Sequence, residues 1–410
     1  MRNADARRLF YGLSFGRALG VGWVIFDLYL VRVLQFSPLQ LILMGTAMEA
    51  TIFVTEVPTG ILADTFSRRL SVILGFLGMG AAIVGVGVSS QAWLVIALWG
   101  CWGLAYTFQS GAYEAWITDE IGVENVGSLF LRGQRVASVG SLLGLAGGVA
   151  IGYFSLRAAV ISTGCVELLA GLACILLMPE TGFVRGERSR SAFWATARSG
   201  VRFMRGSTIL VILAITELIA GFGAEAFDRL TEAHVIRDVG FPAAINPVFG
   251  FGVVSAVAMV FGFFAVTPLI RRVDEEGVGV VARLLAVCTV LTIVAQILFA
   301  VGTGFWFVMA VFLGAVLSRS LLGPLYTTWL NDLVTDSSVR ATVLSISGQA
   351  NAIGQAAGGP VLGVVGNVFG IPYALVAGAL STLPAAALYA RAGRRHGEMP
   401  LVAAVEPAQP

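Results

Sequence analysis

The chain has 410 residues; 57% belong to the hydrophobic set, only 12% are charged, and 26 basic against 24 acidic residues leave a net charge of +2. Soluble domains carry about 25% charged residues, so this composition, with a mean hydropathy of +0.86, excludes a soluble enzyme, a nucleic-acid-binding protein and a disordered chain. What remains is a polytopic membrane protein whose outer surface is solvated by lipid.

A helix crosses the hydrocarbon with roughly 20 apolar residues. On that rule the sequence predicts twelve spans: 9–34, 40–62, 71–90, 92–116, 133–154, 157–178, 207–228, 247–270, 278–301, 304–330, 341–365 and 367–390. The first apolar stretch, Leu9 to Leu34, exceeds the roughly 7–15 residues of a signal-peptide core, so an uncleaved first span is expected. The longest polar gap divides the chain into an N-terminal six-helix bundle (1–178), a linker (179–206) and a C-terminal six-helix bundle (207–390). The tail 391–410 has three prolines and no apolar face, and is expected to be disordered. Cys101, Cys165, Cys174 and Cys288 all lie in apolar runs without a CxxC pair. They are expected to pack as small hydrophobes, with no disulfide, metal site or cofactor.

All the basic residues are arginine, and their placement sets orientation. With the N-terminus inside, nineteen arginines fall on the inner side, and only Arg32, Arg157, Arg229 and Arg237 on the outer side. Both termini, the linker and the tail are therefore expected in the cytoplasm, the chain being multi-pass in a bacterial inner membrane.

The halves repeat one another. Pro58 and Asp64 correspond to Pro268 and Asp274 at an offset of 210. Trp116-Ile-Thr-Asp119 corresponds to Trp329-Leu-Asn-Asp332 at 213, and Gly147-Gly148 to Gly358-Gly359 at 211. Three matches at nearly one offset point to a duplicated six-helix unit, a pattern of many transporters.

The turn between spans two and three reads Gly60-Ile-Leu-Ala-Asp64-Thr-Phe-Ser-Arg68-Arg69. It resembles the GxLADxxGRR signature of the major facilitator superfamily, with Ser67 in place of the second glycine. A short turn carrying one carboxylate and two guanidiniums can bond neighbouring helix ends, as a gate requires. Two further segments look like the drug-exporter branch: Ser110-Gly-Ala-Tyr-Glu114-Ala-Trp116-Ile-Thr-Asp119-Glu120, and Gly140-Ser-Leu-Leu-Gly144-Leu-Ala-Gly147-Gly148 in span five. The latter lacks the proline of the exporters' GPxxGG run. Their RxxxG pattern in span four also fails, with Thr107 before Gly111, although Arg319 and Gly323 in span ten have that spacing. The resemblance implies an all-α membrane protein of twelve helices in two pseudo-symmetric six-helix bundles. It also implies that spans one, four, seven and ten line a central cavity.

Ionisable side chains at membrane depth cost on the order of 2.5–3.5 kcal/mol on insertion scales, and mark functional sites. Asp27, Glu49, Glu56, Glu167, Glu217, Glu225 and Arg319 fall inside predicted spans. Asp27 and Glu49 sit at equal depth, about 16 Å below the turn at Ser37-Pro38 at 1.5 Å per residue, so the pair would share one proton if their faces meet. Glu56 is expected to support the gate motif, and Glu167 to make a packing hydrogen bond. By the resemblance Asp27, Glu217 and Arg319 face the cavity. The residues expected to serve proton coupling or substrate are Asp27, Glu49, Glu217, Glu225 and Arg319.

In span four Trp99, Trp102, Tyr106, Gln109, Tyr113 and Trp116 are spaced by 3 or 4 and share one stripe. On a cavity helix such a wall stacks flat solutes and holds cations through ring faces. Trp102, Tyr106 and Gln109 are the expected substrate contacts. Glycines every four residues, Gly12-Gly16-Gly20 and Gly140-Gly144-Gly148-Gly152, let helices approach closely.

Gly12-Leu-Ser14-Phe-Gly16 matches a nucleophile elbow, but it lies in an apolar helix without a histidine partner. No Gly-Lys-Ser/Thr phosphate loop exists, so energy would come from an ion gradient. The expectation is a monomeric secondary transporter, with protons or sodium and membrane lipids as partners and no nucleic acid. It would export amphipathic drugs or secondary metabolites. One alternative is uptake or export of one specific polar metabolite. Another, of a different class, is a non-transporting membrane sensor or lipid-handling enzyme.

Overall fold

The computed structural model describes residues 2–183, 198, 201–276, 280–334 and 337–398, and their side chains except at 2–4, 262–276, 337–339, 341 and 395–398. Most of the 179–206 linker, with Arg185, Arg188 and Arg190, and the side chains of Pro268 and Asp274 lie outside this set.

All regular structure among the described residues is helical. Span one is Arg2–Leu19, a 3-10 turn at Trp23–Ile25, and Phe26–Arg32. Span two is Pro38–Thr65, span three Arg68–Val88, span four Ala92–Gln109 plus Ala112–Ile121, span five Val123–Phe154 and span six Leu156–Leu177. Span seven is Thr208–His234, span eight Pro247–Glu276, span nine Val281–Val301, span ten Phe305–Leu333, and span eleven Ser337–Val368. Span twelve is Ile371–Ser381 plus Leu383–Glu398. Among the described residues, ten of these are long and apolar enough to cross a membrane.

Local sequence sets the ends. Ser37 accepts from the Gln40 backbone while the Gln40 side chain accepts from the Ser37 N–H, a reciprocal cap that starts span two. Ser67, Ser155 and Ser207 cap spans three, six and seven one-sidedly, the serine side chain accepting from a backbone N–H three residues on.

Three elements differ from the sequence expectation. Span four is broken at Ser110–Gly111, where Gly111 adopts φ +74, a conformation only glycine takes without cost. Span seven does not stop at 228 but runs to His234 and through a π turn to Val239. The tail is helical to Glu398, because Ala392 is fully buried and Gly393 abuts Ala282.

Three apolar cores hold the molecule. One contains Phe10, Phe76, Trp116 and Cys174, all from spans one to six; another contains Leu213, Leu285, Trp329 and Tyr389, all from spans seven to twelve. Both lie toward the end of the bundle where the Thr65–Arg68 turn sits. At the opposite end, near Ser37, a single core joins Phe26, Tyr29 and Ile42 to Leu230, Phe299 and Leu362. There Gly359 meets Thr46, Gly363 meets Leu39 and Gly366 meets Pro38, so spans two and eleven pack closely. Arg237 Nη2 also donates to the Phe36 carbonyl at 2.6 Å. The Ser37 end is thus sealed across the two helix sets, while the motif end has two separate cores.

Candidate functional site

The motif turn ties helix ends within the first six spans. Arg68 bonds Asp119, pairs with Asp64 at 3.4 Å, and donates to the Ala115 carbonyl at 3.1 Å. Ser67, where the signature has glycine, donates to both Glu180 oxygens at 2.9 and 2.8 Å, and the Arg69 N–H reaches the same carboxylate at 3.0 Å. Arg69 Nη2 donates to the Ile175 carbonyl at 2.7 Å. Glu120 accepts from the Thr181 and Gly182 N–H groups at 2.6 and 2.8 Å. The segment after span six is thereby fastened to the ends of spans three and four. Gly60 has open space where a Cβ would point. Glu56 is not part of this network. It accepts from Gln349 Nε2 at 2.7 Å and so links span two to span eleven.

The aromatic stripe divides at the span-four break. Above it, Phe26 stacks on Trp99 (4.7 Å, 25°), Trp99 on Trp102 (5.3 Å, 11°) and Trp102 on Tyr106 (5.5 Å, 14°). Trp23, on the 3-10 turn of span one, meets Trp99 and Trp102 edge-on and is 38% exposed. Trp102 and Tyr106 are half-buried. Below the break the residues are structural: Tyr113 donates to the Phe10 carbonyl at 3.0 Å, and Trp116 Nε1 to that of Pro179 at 2.6 Å. Gln109, expected at the cavity, is 2% exposed and packs beside Gly75 of span three. The glycine after Ser110 redirects the chain there, so a straight-helix stripe overstates the wall.

The charged residues form two groups. In the first, Arg229 of span seven lies on Gly45 of span two and pairs with Glu225 at 3.6 Å. Glu225 is 0% exposed, and neither of its oxygens has a hydrogen bond. The Arg229 charge also acts on Asp27 and Glu49. A helix ended at 228 had put Arg229 in an outer loop; the longer helix makes it the cation among three acids, Glu225 fully buried and Asp27 and Glu49 half-buried. The acid acting on Asp27 and Glu49 differs as well: Asp27 interacts with Glu232, whereas Glu49 feels Asp228 and Glu56.

In the second group Arg319 of span ten donates Nη1 and Nη2 to Asp228 at 2.5 and 3.0 Å, and lies 5.1 Å over the Phe227 ring. Glu217 accepts from Asn351 Nδ2 at 2.8 Å, and Asn351 Oδ1 from Gln355 Nε2 at 2.7 Å. Glu217, Asp228, Gln296, Arg319, Asn351 and Gln355 line one cavity of about 360 Å³. Arg319 is thus the partner of Asp228, not of Glu217. Glu167 is buried in span six, and its Oε2 makes no hydrogen bond.

Asp228 and Glu232 are missing from the sequence reading, and Arg229 enters it only as an outer-side charge, because a hydropathy window ends at the first dense run of charge. Arg17 of span one, at 3.9 Å from Glu114 and 5.1 Å over Tyr113, is a further charge that the sequence reading does not include. Gln296, Asn351 and Gln355 carry no sequence motif, and only packing brings them together. The described residues contain no His/Cys/Asp/Glu group able to hold a metal.

The profile of the Major Facilitator Superfamily matches residues 10–295. An uncharacterized MFS-type transporter, YxaM of Bacillus subtilis (strain 168), is 22% identical over 397 residues, covering 93% of this chain and 94% of that protein. Multidrug resistance protein 2 of the same organism is 20% identical over 352 residues, covering 83% and 84%. Among solved structures, the nucleoside transporter NupG superposes with a TM-score of 0.76 at 12% identity, covering 94% of this chain and 98% of its own. A bacterial homologue of the human lysosomal transporter Spinster gives 0.72 at 14%, covering 97% of each chain. A POT family transporter in complex with a conjugated peptide gives 0.71 at 11%, covering 96% of each. At these identities the structural likeness concerns the fold.

Proposed function

Because the chain belongs to the major facilitator superfamily and is a multi-pass membrane transporter rather than an enzyme, we propose that it exports amphipathic aromatic or cationic compounds against a proton gradient by alternating access. The observation that carries this reading is the pairing of two unlike surfaces. Trp23, Trp99, Trp102 and Tyr106 form a stacked ladder in the first six spans, and Glu217, Asp228, Arg319 and Asn351 form a charged wall in the last six. A solute with one flat apolar face and one polar or cationic face matches both. The relationship to Multidrug resistance protein 2 supports the same direction.

In this reading the division is 1–178 and 207–390, joined by the linker, and the arginine-rich end is cytoplasmic. The sealed Ser37 end then faces outward, so the described state is the inward-facing one. Trp102 and Tyr106 contact substrate, and Asp27 and Glu217 are the candidate proton carriers. Arg229 holds Glu49 and Glu225 in the outer seal. Ser67, Arg68 and Arg69 brace the cytoplasmic helix ends, and the Glu56–Gln349 bond couples the halves.

A second reading, transport of one specific polar metabolite, is favoured by Gln296, Asn351 and Gln355 in the 360 Å³ cavity. These side chains supply the amide donors and acceptors that an aromatic ladder lacks.

Proteoliposomes test both. Ethidium export driven by an imposed pH gradient should fall at least tenfold in Asp27→Asn or Glu217→Gln and vanish with an uncoupler. Unaltered proton-driven transport in both single variants and the double would reject the coupling assignment. Saturable movement of one metabolite, with no dye movement, would favour the second reading. Replacing the pH gradient by a sodium gradient separates the two ions.

A further inference from the structure

Asp228 and Glu232 lie one helical turn apart and so share a face of span seven. With Phe227 and Thr231, and with Phe312 and Arg319 of span ten, they line a second cavity of about 430 Å³. Asp228 and Arg319 also line the 360 Å³ cavity beside it. The Asp228–Arg319 pair is therefore the partition between the two.

Arg319 displays how this cleft holds a cation. Its planar guanidinium makes two parallel hydrogen bonds to Asp228 and lies over the Phe227 ring. The rings of Phe227 and Phe312 stack at 6.0 Å and 26°. Glu232 has no ion pair and no hydrogen bond to another side chain among the described residues. The charges acting on it are those of Asp27, Asp228 and Arg229, and Arg229 is engaged with Glu225. Two carboxylates thus face a cleft that contains one guanidinium, and the only hydrogen bond to the Glu232 carboxylate among the described residues comes from the backbone.

Resting on the export reading above, we infer that this cleft is the seat for a planar, delocalised organic cation, an aryl amidinium or guanidinium, and that Arg319 stands in for it when substrate is absent. An aryl amidinium has the same two-pronged donor geometry as Arg319. It can bond Asp228, reach Glu232 with its remaining N–H groups, and lay its ring against Phe227 and Phe312. The exchange replaces one cation by another, so no carboxylate is left bare. Arg319, once displaced, remains in the cavity that Glu217 lines.

The test is binding to the full chain in lipid nanodiscs, using the fluorescent aryl diamidine DAPI and the neutral dye Nile red. Glu232→Gln and Asp228→Asn should each raise the Kd for DAPI about tenfold, the share of one charge-assisted contact, and by more than they raise that for the neutral Nile red. Arg319→Gln should lower the Kd for DAPI about fivefold, because it removes the competitor; Arg319→Lys, which cannot make the two-pronged bond, should fall between that variant and wild type. Size-exclusion elution and thermal unfolding like those of wild type show that each variant is folded; should Arg319→Gln fail that check, Arg319→Lys alone decides, and it must still bind DAPI more tightly than wild type. If Arg319→Gln weakens DAPI as Asp228→Asn does, the guanidinium is part of the site and the inference is wrong. If Glu232→Gln and Asp228→Asn leave DAPI untouched while Trp102→Ala abolishes its binding, the cation seat fails and the export reading stands. If wild-type protein binds neither dye and vesicles move neither, both fail together.

Discussion

Arg229→Met should lower the unfolding temperature of the purified protein sharply, with a loss of about 3 kcal/mol, the low end of what removing one partner of a buried ion pair costs. The reason is the company Arg229 keeps. Glu225 is fully buried with no hydrogen bond to either oxygen, so Arg229 at 3.6 Å is its compensation. Asp27 and Glu49, from the other half, depend on the same cation. Methionine fills the space over Gly45 but leaves three acids without a counter-charge. The loss should therefore be repaired in part by neutralising an acid: Glu225→Gln combined with Arg229→Met should recover more than half of it. A double-mutant cycle in detergent, followed by tryptophan fluorescence during heating, reads the coupling directly. Additive losses would show that the two side chains do not interact. Because Arg229 bridges the halves at the sealed end, the single variant should also favour opening there, seen as a longer spin-label distance between spans one and seven.

The second large effect concerns two neighbouring glycines with opposite expectations. A Cβ on Gly144 would collide with the Leu19 carbonyl oxygen, whereas the nearest atom to one on Gly147 is Val21 Cγ1 at 3.9 Å. Gly144 lies against the point where the helix of span one ends at Leu19. Gly140 meets the Phe15 carbonyl and Gly148 that of Val21 along the same line. Gly144→Ala must push spans one and five apart, at about 3 kcal/mol. Gly147→Ala adds helix propensity without a clash, and should be neutral or stabilising by up to about 1 kcal/mol. Thermal unfolding of the two variants side by side decides it. Equal losses would mean that the spacing of glycines, rather than their contacts, matters.

Much of the architecture was legible because lipid imposes one rule, a long apolar helix, that leaves a plain record in sequence. The motif turn and the six-helix repeat pointed to the major facilitator fold. The glycine ladder of span five was legible for the same reason: helices touch along a periodic face. The site was less so. Span seven was cut short at Asp228 because hydropathy treats each charge as a cost, and cannot know that Arg319 and Arg229 offset Asp228 and Glu225. Gln109 was misplaced because its stripe assumed a straight helix through Gly111. Asn351 and Gln355 are two of several polar residues in span eleven, and only the fold brings them to Glu217 and Gln296. What a sequence pattern conveys is periodicity along one helix; what makes this site is the meeting of several.

The interruption of span one at Gly20–Gly22 puts Trp23 and Asp27 on one short stub, Trp23–Arg32, that is separate from the long helix before it. A flat ring and an ionisable group that ride the same stub cannot tilt independently. On the proposed export reading, cargo pressing on the indole would turn the carboxylate with it, and proton gain or loss at the carboxylate would drag the ring along. Uphill movement and downhill ion flow would then be yoked by leverage through ten residues, with no need for the two passengers to touch.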